Sequence, residues 1–328
     1  MKELNIDELF GNKRDKLIEK ELKFIKLIEK DASEPIVIDS LVNNRIQSIS
    51  IGRCDIESIP EEIGDLEYLE EIYLVEPMIS ELPESMGRLR NLKTLRIFKT
   101  PIETLPESFG ELHNLWKLDI ARANITHFPT VICKLKNLEY LELDENQIKH
   151  IPEGIMNLKK LKSISLKDNK LVGFPNFLTN LTQLESILID NNKIGSLPKS
   201  ITNLVNLVAI KLNNTQLGEF SQYLCNLKNL VALELQANQI PRVPNCIGNL
   251  NELAQLHLSD NKISELPKSL NNIKKPISIF LKNNRIEEFP SVLKEMILRR
   301  LDLRGNPLED YPKTIGKAKL AEDKFYSW

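Results

Sequence analysis

Apolar residues recur along the chain in a fixed block, L-x-x-L-x-L-x-x-N, that returns every 23 residues. Copies begin at Ile46, Leu69, Leu92, Leu115, Leu138, Leu161, Leu184, Leu207, Leu230, Leu253 and Pro276, and a twelfth begins at Leu298 after a 22-residue step. Numbered from the start of a copy, offsets +3 and +5 are Leu or Ile in all twelve, from Ile49 and Ile51 to Leu301 and Leu303. They alternate with mostly polar residues at +2, +4 and +6, which is the period of a half-buried strand. Offset +10 is again Leu or Ile throughout, and offset +13 is apolar or aromatic, as in Leu82, Phe128, Phe174, Phe289 and Tyr311. One strand per copy at a constant period predicts a solenoid, in which stacked strands form a parallel sheet and the return segments pack behind it.

Two further columns have physical reasons. Offset +8 is Asn in seven copies, at Asn146, Asn169, Asn192, Asn238, Asn261, Asn284 and Asn306. A strand leaving a sheet strands its backbone polar groups, and an inward Asn offers two donors and an acceptor in their place. These seven are expected to form a ladder. Cys54, Pro77, Thr100 and Ala123 interrupt it in the first four copies and Thr215 in the eighth, so a less regular N-terminal third is expected. Offset +14 is Pro in eleven copies, with Ser221 as the exception. Pro followed by Glu, as in LPESMG, LPESFG and IPEEIG, suits the start of a short helical turn. Ser221 is expected to mark a local irregularity.

These columns resemble the leucine-rich repeat family. The L-P-x-x-I/F-x-x-L half is similar to its 23-residue subclass, which includes Ras-group-related intracellular proteins, Ras-suppressor and scribble-like scaffolds, and many bacterial members. The resemblance implies an α/β solenoid shaped as a horseshoe, with the parallel sheet on its concave face and short helical turns on the convex one. It also implies a protein-binding role, and its subclass implies a GTPase-related partner. The expected organisation is an N-terminal helical cap over 1–45, a twelve-repeat solenoid over 46–318 and a C-terminal cap segment over 319–328. Lys13 to Lys30 has the apolar spacing of a helix, PIVI from Pro35 to Ile38 reads as an edge strand, and KLAEDKFYSW supplies Leu320, Phe325, Tyr326 and Trp328.

Composition narrows the function. The 52 leucines and 37 isoleucines exclude a disordered chain. A net charge of −2 gives no basic excess for nucleic acid or anionic lipid. No apolar run is long enough for a membrane span, and the opening MKELNIDELFGNKRDK shows no signal-peptide core. Cys54, Cys133, Cys225 and Cys246 are scattered singly, without zinc or disulfide-framework spacing. A reducing, cytoplasmic location is therefore expected.

No phosphate-binding loop, dinucleotide fingerprint, zincin or nucleophile-elbow motif occurs, so neither an enzyme nor a cofactor site is expected. His113, His127 and His150 fall on turn positions, and His257 alone faces the sheet side. The variable sheet positions remain. Copies two to four place Tyr73, Val75, Arg96, Phe98 and Lys99 there, with Lys117 and Arg122 beside them; the middle copies place Asp119, Tyr140, Glu142, Asp144 and Asp190; the last place His257 and Phe280. Exposed aromatics beside Arg are the usual material of binding hot spots. The sequence thus reads as a non-enzymatic protein-binding scaffold or adaptor. The alternative is an exported bacterial factor that binds a host protein.

Overall fold

The computed structural model describes residues 17–30, 37–43, 45–52 and 56–309. The chain forms two compact units that divide between Leu161 and Lys162. The first opens on helix α1 (Glu19–Lys30) and strand β1 (Val37–Val42). Strands β2 (Arg45–Gly52), β3 (Glu71–Val75), β4 (Thr94–Phe98), β5 (Lys117–Ala121) and β6 (Tyr140–Glu142) follow. β1 pairs antiparallel with β2, and β2 to β6 pair in parallel in chain order, each residue opposite the one 23 positions on. Residues +3 and +5 of every strand point into the core, where Ile49, Ile72, Leu95, Leu118 and Leu141 are fully buried.

The second unit repeats the plan with β7 (Ser163–Ser165), β8 (Ser186–Leu188), β9 (Ala209–Lys211), β10 (Ala232–Glu234), β11 (Gln255–His257), β12 (Ile277–Phe280) and β13 (Leu298–Asp302). Its pairings are parallel and again follow chain order. The 22-residue step falls in the last described turn, Ser291–Lys294, which has four residues where the others have five.

The return segments are short 3-10 turns. Each begins one residue after the proline, as in Glu61–Asp65, Glu84–Arg88 and Glu107–Glu111. Proline therefore stands just outside the turn, with φ of −59° and ψ of 145° at Pro60, and its carbonyl accepts the first turn bond from Ile63 at 3.0 Å. Ser221 takes the same place and conformation, and its carbonyl accepts from Leu224 at 3.2 Å. The irregularity expected at Ser221 is not there, because the position needs an extended backbone and not the proline ring.

Helix α1 covers the open end of the first repeat. Phe24, Ile25 and Ile28 are buried. Glu21 is buried with them, accepting from Arg45 Nε at 2.9 Å and from the Ile46 amide at 3.2 Å. The guanidinium of Arg45 also lies 4.2 Å from the Tyr68 ring centre. Exposed pairs, Lys23 with Glu62 at 2.9 Å and Lys20 with Glu67 at 3.4 Å, link the helix to the first turn. The remainder of the expected N-terminal segment, and the C-terminal one with Tyr311 and Pro312, lie outside the described residues.

Candidate functional site

Two adjacent columns set up the sheet face. At the strand exit, offset +7 is left-handed in copy after copy: Glu76, Lys99, Arg122, Glu145, Asp168, Asn191, Asn214, Ala237, Asp260 and Asn283 all have φ between 52° and 61°. This reversal turns offset +8 inward. Asn192 then donates to the carbonyls of Leu166, Ile189 and Asp190 at 2.9, 3.0 and 3.1 Å, and its Oδ1 accepts from the Leu171 amide at 2.9 Å. Asn146, Asn238, Asn261 and Asn284 are buried with the same pattern. Asn169 is buried and donates to Leu166 and Lys167, and Asn306 is half-buried and donates to Leu281 and Leu303.

Thr215 solves the gap differently. Its hydroxyl donates to Leu212 at 2.7 Å, and its own carbonyl accepts from the Ile194 amide at 3.0 Å, the role that Asn Oδ1 plays elsewhere. Gln216 sits at φ 62° to allow this. In the first unit, the Thr100 hydroxyl is buried without a hydrogen-bond partner, and Cys54 lies outside the described residues.

On the face of the first unit, Tyr73 lies opposite Arg96 and Val75 opposite Phe98, so these four form one contiguous patch. The Phe98 ring has the Arg96 guanidinium 5.7 Å from its centre and the Arg122 guanidinium 5.3 Å away. Both arginines are also ion-paired, Arg96 with Asp119 at 3.1 Å and Arg122 with Glu145 at 2.8 Å. The Tyr73 hydroxyl donates to Glu71 at 3.0 Å, and burial, then this bond, pushes its pKa above the usual value. Lys99 pairs with Glu76 at 3.2 Å. Asp119 is buried, and its carboxyl is pushed up to about 6, first by burial and then by the charge of Glu142 opposite it. Asp144 follows Glu142 at the exit of β6 and is half-buried.

The second unit carries a hydrogen-bonded network on the same offsets. Asp190 Oδ1 accepts from the Asn213 amide at 2.8 Å, and Glu234 accepts from Lys211 and from the Asn213 side chain, both at 2.9 Å. Burial raises the Asp190 pKa; for Glu234 burial acts in the same sense, but the Lys211 and Asn213 bonds outweigh it and the pKa is lowered. His257 stacks on Phe280 with ring centres 4.3 Å apart, and burial lowers its pKa. Phe280 is thus packed against a neighbour.

Three side-chain features are not among the expectations from sequence. Trp116, 39% exposed, meets Tyr140 edge-to-face with ring centres 5.6 Å apart. It precedes its strand at offset +1, where the neighbouring copies carry Glu70, Lys93 and Glu139, outside the alternating face positions. Asn91, Asn114, Asn137, Asn206 and Asn229 make a second asparagine column, each donating to a carbonyl 24 residues back at 2.6–2.9 Å. The third is a correction: Cys225 and Cys246 form a disulfide, with Cα atoms 5.6 Å apart. Offset +18 of one copy packs on offset +16 of the next. Gly64 there faces Ser85, Gly87 faces Ser108, and Gly248 faces Ser269 so closely that an added Cβ would collide. Cys225 and Cys246 occupy this contact, so a separation of 21 residues, which looks like scatter, is adjacency. Cys133, buried in the same column, faces Gly154 and is free.

Parallel strands on a 23-residue period, 3-10 returns and an inward asparagine ladder define the leucine-rich repeat architecture. The model of the leucine-rich repeat region matches residues 91–189 and 128–242. The matched segments and the solved neighbours share the leucine-rich repeat architecture with this chain. A leucine-rich repeat protein of Leptospira interrogans is 26% identical, with 86% of this chain and 93% of that one aligned at a TM-score of 0.66. A plant peptide hormone receptor, RGFR1, solved in complex with RGF2, is 28% identical over 76% of this chain and 42% of the receptor chain, at a TM-score of 0.65. An internalin from Listeria monocytogenes shares the fold at 17% identity, covering 98% of this chain and all of that one at a TM-score of 0.57. No curated protein matches the chain. No helix among the described residues is long and apolar enough to cross a membrane.

Proposed function

We propose that the chain is a non-enzymatic scaffold or adaptor that grips a protein partner with its sheet face, centred on Tyr73, Val75, Arg96 and Phe98. The observation that carries this reading is the contiguity of that patch, in which a half-buried aromatic ring is held between two guanidiniums. Such a patch offers apolar area and directional donors together. The 28% identical relative is a plant peptide hormone receptor in complex with RGF2, which supports a peptide or protein as the ligand class. Affinity capture from lysate of the source organism, read by mass spectrometry, tests it. Tyr73→Ala with Phe98→Ala should abolish capture of the main partner while leaving the melting curve nearly unchanged. A folded double variant that captures every partner refutes the assignment. The subclass resemblance suggests a GTPase-related partner and a cytoplasmic role in signal transduction, which the same capture addresses.

A second reading, an exported factor that binds a host protein, is favoured by the Cys225–Cys246 disulfide, since stable disulfides belong to oxidising compartments. Detection of the oxidised protein outside intact cells tests it, and exclusive recovery of the reduced form from the cytosol refutes it.

A further inference from the structure

Asp119 and Glu142 stand directly opposite each other on β5 and β6, a like-charge pairing that destabilises a sheet. Asp119 is 5% exposed. One of its oxygens meets Arg96 at 3.1 Å, and the other, Oδ1, is shut from solvent with no hydrogen-bond donor. Glu142 is half-buried and has no ion-pair partner among the described residues. Two positions before it on the same face is Tyr140, in edge-to-face contact with the exposed Trp116. At a rise of about 3.3 Å per residue, ring and carboxylate are separated by roughly 7 Å along the strand. Arg96 and Lys117 are the cations, and Glu142 and Asp144 the further carboxylates, whose charges act on Asp119.

Resting on the reading of the sheet face as the binding face, we infer that the Trp116–Tyr140–Glu142 patch receives an arginine side chain of the partner. Its guanidinium lies on the aromatic pair and donates to Glu142, with Asp119 as a fixed negative charge alongside. A purely acidic cluster attracts any cation. The adjoining rings select a planar, weakly hydrated one that stacks while its N–H fork meets a carboxylate.

The test uses the full chain carrying Trp328→Phe, so that tryptophan emission reports Trp116. The probe is the acetylated, amidated peptide Gly-Ser-Arg-Ser-Gly at low ionic strength. Its control carries citrulline, which keeps the shape and loses the charge. The expected result is a saturable emission change with the arginine peptide, weakened about tenfold or more by citrulline and by Glu142→Gln. Equal titrations by arginine and citrulline peptides overturn the inference, as does no saturation, or an affinity unaffected by Glu142→Gln. A lysine peptide that binds as tightly as arginine overturns the guanidinium assignment. The two readings fail separately: partner capture lost in the aromatic double variant with no arginine binding leaves the scaffold standing without this contact. Arginine binding with undisturbed capture does the reverse.

Discussion

Replacing Asn192 with Ala removes one side chain and four hydrogen bonds. The decisive loss is on the acceptor side. The Leu171 amide, buried where its strand has ended, has only Asn192 Oδ1 at 2.9 Å; an orphaned buried N–H costs about 1–3 kcal/mol. The carbonyl losses are smaller, since Asp190 O still accepts from the Asp168 amide at 3.0 Å. A total of roughly 2–4 kcal/mol is expected. The control is the neighbouring Asn191, which is exposed, bonded to Asp168 and Asn214 at 2.8 and 3.0 Å, and held at φ 57°. Alanine there is a poor control, because the left-handed backbone alone carries a penalty of about 1 kcal/mol. Asn191→Gly avoids it and should cost no more than about 0.5 kcal/mol. Urea melts followed by circular dichroism give the two shifts. Amide exchange at Leu171 should accelerate in Asn192→Ala and not in Asn191→Gly. Equal midpoints for the two variants, or unchanged exchange at Leu171, would refute the ladder as the source of stability.

Glu21→Ala should destabilise the first unit by about 3–5 kcal/mol in a chemical melt, because it leaves Arg45 without its buried partner; a shift below about 1 kcal/mol would show that the pair is dispensable. The Asp119 carboxyl, raised from 3.8 to about 6, binds a proton in the folded state that the unfolded chain has already released. Its contribution to stability therefore falls as pH rises through that window, and Asp119→Asn should flatten the stability–pH profile there; an unchanged slope contradicts the assignment. Reduction of Cys225–Cys246, which closes a loop of 21 residues, should lower the stability of the second unit by about 3 kcal/mol. The double Cys→Ala variant should match the reduced protein, and identical melts with and without reductant would argue against the bond.

The core was legible because burial writes itself into every copy. Leucine or isoleucine at +3, +5 and +10 cannot be polar without opening the interior, so twelve repetitions expose the period. The asparagine column was legible for the same reason. What stayed hidden depends on contacts between successive copies at different offsets. Cys225 meets Cys246 because offset +18 abuts +16, and an alignment that compares like with like never sets these two side by side. Trp116 was hidden by the assumption of strict alternation, which fails where the strand is only beginning. The left-handed column was also missed, since it is filled by Glu, Lys, Arg and Ala as readily as by Asn. Its signal lies in backbone geometry, and the side chains conceal it.

The disulfide has a mechanical meaning as well. A repeat array pulled from its ends lengthens copy by copy, and each 23-residue copy that lets go adds about 75–80 Å of contour. The segment between Cys225 and Cys246, 21 positions apart, cannot join in while the sulfurs are bonded, so roughly 70 Å of length stays hidden. That locked segment begins within the copy in which Thr215 stands in for asparagine. A force trace of the oxidised protein would therefore fall one step short of the reduced one, with the arrest close to the copy whose hydrogen bonding departs from its neighbours'. Tension and redox state would then act on the same few turns.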